Sequence, residues 1–185
     1  MTIVWNWSEV DALEAQEKYR DALDYMIQNL KSNPDDLKGF IRLGFLCWYI
    51  QVYWGILPDG DLTDKDYKEC ESLLRELTDF GLRKYRSHPD FLWTFGYMIS
   101  LFPEVFVDSH DEETEMKGIE MLREAQTRRP EDPIIKLVVS GSRESEVKGS
   151  SELNEQVKHL LPVRFKGTGE MQQYFRDVLD RTENH

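Results

Sequence analysis

Tyr19, Ala22, Leu23, Met26, Ile27 and Leu30 recur at steps of three and four, which puts them on one face of a helix. Pro34 ends that helix, because the residue before a proline is pushed out of the α region. Asp35 and Asp36 follow, and their charge suits the positive end of a second helix. An earlier helical start is predicted near Ser8, where Ser8 and Asp11 have capping-box spacing. From Phe40 to Leu57 the chain is mostly apolar and approaches the ~20 residues of a bilayer span. Arg42 and Gln51 interrupt that run and it lies within the repeat pattern, so a buried helix is the expectation.

The same punctuation returns twice. His88-Pro89-Asp90 precedes an apolar stretch from Phe91 to Leu101, and Arg129-Pro130-Glu131-Asp132 precedes Pro133 to Val139. Lys117 to Ala125 repeats the small-apolar rhythm of residues 21–29, and extra length falls around residues 51–66 and 103–115, where the helices of each predicted hairpin join. Beyond Val139, residues 140–151 are small and polar, the composition of a flexible connection. Leu153, Val157, Leu160 and Leu161 then mark one amphipathic helix, and Met171, Tyr174, Phe175, Val178 and Leu179 mark the last. Such terminal helices cap the apolar end of a stack; the other reading is a detachable arm that binds a partner. The predicted layout is repeats over 1–139, a connection over 140–151 and C-terminal helices over 152–185, all in one domain.

Phe40, Leu43-Gly44 and Cys47 in the second hairpin, and Leu92, Phe95-Gly96 and Ile99 in the third, carry a family signature. From about residue 8 to about residue 139 the chain resembles the tetratricopeptide-repeat (TPR) superfamily in degenerate form. The resemblance implies an all-α fold, a short TPR-like α-solenoid of antiparallel helical hairpins. Gly44 and Gly96 are then places where a partner helix comes close. The pattern departs in the first hairpin, where Asn6, Glu9 and Val10 stand at the signature positions. Its prolines, Pro34, Pro89 and Pro130, are also spaced more widely than the about 34 residues of a regular array. In this superfamily the first helix of each hairpin lines a concave face, which here implies Lys38, Ile41, Phe45, Trp48 and Tyr49, then Asp90, Trp93, Tyr97, Ser100 and Leu101. The groove that clamps chaperone C-termini needs Lys and Asn where this chain has Ile41, Phe45, Trp93 and Tyr97, so that role is disfavoured. Two readings of the aromatics stay open: an exposed partner groove, or core covered by the insertions or the C-terminal helices.

Composition narrows the function. The chain has 185 residues, 40% apolar and 12% aromatic, too rich in large side chains for disorder. A net charge of −12 repels nucleic acid and anionic lipid and speeds encounter with basic partners. Cys47 and Cys70 are spaced neither as a metal pair nor as a disulfide framework, and the start lacks signal-peptide character, so a reducing cytoplasm is expected.

Candidate chemistry is thin. Asp59-Gly60-Asp61 opens like a calcium loop, but Asp64 and Cys70 occupy the required glycine and glutamate positions. His110 sits among Asp108, Asp111, Glu112, Glu113 and Glu115, a run that reads as a solvated cap of the next helix. Lys166-Gly167-Thr168-Gly169 is too short for a phosphate cradle, and no metalloprotease, phosphate-loop or nucleophile-elbow motif occurs. The expectation is a non-enzymatic protein-binding protein without metal or cofactor, a monomer or homodimer that binds neither nucleic acid nor membrane. Its most concrete form is a bacterial immunity protein neutralising a cognate, basic toxin domain; a secretion chaperone or regulatory scaffold is the alternative. The partner-binding candidates are Phe45, Trp48, Tyr49, Trp93, Tyr97, Asp59, Asp61, Asp108, Asp111, Glu112 and Glu113.

Overall fold

The computed structural model describes residues 2–58, 62–107, 112–142 and 150–180, and over these the chain is all-α with no strand. The helices are α1 (Ser8–Glu14), α2 (Tyr19–Ser32), α3 (Leu37–Val52), α4 (Asp64–Lys84), α5 (Pro89–Leu101), α6 (Glu112–Arg128), α7 (Pro133–Ser140), α8 (Ser151–Arg164) and α9 (Glu170–Leu179). A 3-10 turn, Pro103–Val105, follows α5. The apolar run that approaches membrane length lies in α3 as far as Val52 and ends in turns over 53–57; α3 is the central helix and packs against α2, α4, α5 and α9. Among the described residues no helix is long and apolar enough to cross a membrane.

Each Pro-Asp opening does a second job at the end of its hairpin. Lys84, closing α4, donates to the Pro34 carbonyl at 3.0 Å and pairs with Asp35, just before α3. Arg129, just after α6, grips Asp90 at the start of α5 with two bonds of 2.9 and 2.8 Å. Arg164, closing α8, bonds Asp132 at 2.8 Å, and Asp132 also caps α7 by accepting from the Ile134 amide at 3.0 Å. In all three cases the second helix ends where the first begins, so the pairs α3/α4, α5/α6 and α7/α8 run antiparallel. Arg20 ties the start of α2 to the start of α4 through Asp66 and Glu69, both at 2.7 Å.

The glycines act differently from one another. A Cβ on Gly96 would stand 2.8 Å from the Gly118 carbonyl, and one on Gly118 only 2.5 Å from the Ser100 amide, so α5 and α6 touch backbone to backbone. At Gly44 the missing side chain makes room instead for the Phe95 ring of α5. Ser8 does not cap α1: Trp7 holds that place, and its amide donates to Asp11 Oδ2 at 3.0 Å. A break at Glu17, in the left-handed region with φ 60, separates the short α1 from α2.

The interior carries a charge. Arg42, on α3, is fully buried; its Nη2 lies 2.6 Å from Glu14 Oε2 and 3.1 Å from Asp11 Oδ1, both on α1. Gln172 of α9 donates to both Asp11 oxygens at 2.8 Å and to the Trp5 carbonyl at 3.1 Å, while the Glu170 amide donates to Glu14 Oε2 at 2.7 Å. Gly167 (φ 120) and Gly169 bring the chain against this cluster; a Cβ on Gly169 would stand 2.5 Å from Arg42 Nη2 and 2.7 Å from Glu14 Oε2. The segment that reads as a failed phosphate cradle is a close backbone approach to a buried ion pair. Burial raises the Glu14 carboxyl above its ordinary value, an effect that its bonds to Arg42 reduce but do not cancel.

Two measurements test this framework. Gly118→Ala forces apart two touching backbones and should cost about 1–3 kcal/mol in denaturant melts. Glu14 binds its proton more tightly folded than unfolded, so its contribution to stability is full below the unfolded carboxylate pKa and is lost as pH rises through the raised folded one. Wild-type stability relative to Glu14→Gln should therefore fall as melts move from about pH 4 towards neutrality.

Candidate partner-binding surface

The aromatic side chains of α3 and α5 meet in space, but they meet under a lid. Phe45, Trp48 and Trp93 are fully or almost fully buried, and Tyr49 and Tyr97 are half-buried. The cover is α9: Phe175 sits 5.1 Å from the Trp93 ring and 5.7 Å from Phe45, and Tyr174 stands edge-on to Trp48 at 5.3 Å. Tyr97 and Tyr174 share a hydroxyl–hydroxyl bond of 2.9 Å. The exposed-groove reading of Phe45, Trp48 and Trp93 is corrected accordingly: these three are core. The physical reason is the apolar face of α9, where Met171, Phe175 and Leu179 are spaced to insert together and are themselves buried. The tethered helix needs no second molecule, and its effective concentration exceeds that of a free ligand.

What remains of that face is phenolic. Tyr19 Oη donates to Glu170 Oε1 at 2.7 Å, Tyr49 lies near the same carboxylate, and Tyr53 stacks on Tyr49 at 4.5 Å. Burial, reinforced by Glu170, pushes the Tyr19 and Tyr49 hydroxyls well above the ordinary phenol value, so they stay neutral donors. Tyr174 is raised for the same first reason, with Tyr97 adding to it.

The acidic candidates divide. Asp59, Asp61, Asp108 and Asp111 lie outside the described residues, as does His110. Glu112 and Glu113 are exposed in the first turn of α6, where carboxylates suit the helix dipole, and Glu113 pairs with Lys117 at 2.9 Å. At the other acidic turn, Asp66 is structural. It completes a capping box with Thr63 and binds Arg20; burial works to raise its carboxyl, but those bonds outweigh burial and hold it low. Among the described residues no three His, Cys, Asp or Glu side chains converge to hold a metal ion.

An open apolar site lies elsewhere, between α2 and α4. Leu30, Pro34, Leu73, Leu77 and Phe80 line a slot of about 460 Å³ floored by Phe40 of α3, with Glu76, Asp79 and Arg83 at its rim. Arg20 joins the starts of the two helices, and the slot is lined by residues further along each. Phe80 remains 40% exposed at its edge, tilted against Phe40 at 5.8 Å with the Lys84 ammonium over its ring. Sequence reasoning missed this site. Its signal was the spacing of Leu73, Leu77 and Phe80, which gives α4 an apolar stripe that one neighbouring helix cannot cover.

Compared with known proteins, the chain matches no family model, no curated protein and no solved structure. The geometry alone therefore separates lid from site. Phe175→Ala should destabilise the fold by about 3–5 kcal/mol. Phe80→Ser should cost under about 1 kcal/mol, because its ring contributes exposed surface and little core. Urea melts of the two variants compare them directly.

Proposed function

We propose that this chain is a protein-binding module, a short tetratricopeptide-like stack of antiparallel hairpins capped by α8 and α9, that holds one protein partner without chemical turnover. The observation that carries the reading is the open apolar slot between α2 and α4 with Phe80 at its edge. An aromatic side chain left beside an apolar slot adds little to the fold, and a partner that covers it gains the burial. The net charge of −12 favours a basic partner, which it attracts at long range and in a salt-sensitive way. A basic toxin domain neutralised in the bacterial cytoplasm, as an immunity protein does, is the most concrete partner of that kind.

The filled aromatic face weighs between the alternatives. A secretion chaperone of this superfamily cradles an extended client segment along the first helices, and here α9 occupies that side. A regulatory scaffold could use the same slot, and it differs from an immunity protein in the number of partners.

Affinity capture from the native cell with the wild-type chain and with Phe80→Asp tests the proposal. The expected result is one partner at one-to-one stoichiometry, bound more weakly as salt rises and at least about tenfold more weakly by the variant. Capture of several unrelated clients, or equal capture by Phe80→Asp, overturns it.

A further inference from the structure

The two cysteines, remote in sequence, meet in the fold. Cys47 lies on α3 and Cys70 on α4, and both are free and fully buried. The register of this antiparallel pair is set at one end by Lys84 on the Pro34 carbonyl (3.0 Å) and at the other by Gln51 Nε2 on the Tyr67 carbonyl (2.7 Å). One helical turn inward from the Gln51–Tyr67 bond, on each helix, stand Cys47 and Cys70. This register sets the two buried thiols beside one another across the helix pair, close enough for Cys70 to act on Cys47. A disulfide between packed helices needs this juxtaposition, because the bridge tolerates Cα separations of only about 4.4–6.8 Å.

We propose that Cys47 and Cys70 form a latent redox site, which a two-electron oxidant closes into an intramolecular disulfide fastening α3 to α4. With a diazenedicarboxamide oxidant, one thiolate adds to the N=N bond and the second displaces the hydrazine product as the S–S bond forms. The pair loses two electrons, and both thiol protons end on the hydrazine nitrogens. The neighbouring Cys70 thiol, then burial, raises the Cys47 thiol and leaves it little reactive while the helices stay closed. Bridging therefore waits for a local opening of the α3–α4 contact, and its rate is set by that opening once oxidant is in excess. The bridge joins the floor of the partner slot, α3, to one of its walls, α4.

The test uses the reduced full chain with diamide as the oxidant, followed by intact mass, peptide mapping and thermal melts. The expected mass change is the loss of two hydrogens, with one cross-linked peptide joining Cys47 to Cys70 and a rate that levels off as diamide rises. The oxidised chain should keep its helical circular dichroism and melt higher by roughly 5 °C or more, reversibly on adding dithiothreitol. Cys47→Ala and Cys70→Ala should each abolish the bridge, and the wild-type mass and melt decide the matter even where a variant folds poorly. Adducts on single thiols, disulfide-linked dimers in place of the internal bridge, or a bridge that lowers the melting temperature would each overturn the assignment.

Discussion

A guanidinium with no access to water has to be met by carboxylates, and in this chain both come from the seven-residue α1. Breaking such a pair by removing one partner costs about 3–5 kcal/mol, because the remaining charge stays buried. Arg42 lies on the central helix, so wherever α3 goes, α1 must follow. Gln172 then donates to Asp11 and the Glu170 amide to Glu14 Oε2, which draws the start of α9 to the same point. One buried charge thus gathers the N-terminal helix, the centre and the C-terminal helix. The interaction is costly to make, and Arg42 Nε and Nη1 lack hydrogen-bond partners, but it fixes a register that apolar contacts alone leave loose.

That register decides which apolar surface is covered and which stays open. Once Gln172 is seated on Asp11, Phe175 and Tyr174 fall against Phe45, Trp48, Trp93 and Tyr97. The most aromatic face of the molecule is thereby spent on folding. Available apolar surface is left between α2 and α4, which Arg20 joins at their starts and whose later turns line the slot.

Much of the helical order was legible along the chain. The periodicity of residues 19–30, the Pro-Asp openings before α3, α5 and α7, and the two terminal amphipathic segments each mark a helix by local means: side-chain spacing, proline stereochemistry and charge at a helix end. Arg42 looked like a mere interruption of an apolar run, and Gly167 and Gly169 like an incomplete anion loop. Cys47 and Cys70 looked unrelated, since nothing local says that one helix turns back to set them face to face.

What the sequence determined by itself is which stretches are helical and which side of each is apolar, because those properties depend on neighbours three and four residues away. Only the tertiary structure decided which apolar face covers which other. Phe45 and Phe80 are alike as residues, yet one is core and the other an exposed edge, because α9 is held over the first by contacts more than a hundred residues apart in the chain, while no other helix among the described residues lies over the second. Periodicity shows that a face must be covered; the long-range hydrogen bonds of Gln172 and the Glu170 amide to the buried carboxylates choose the cover.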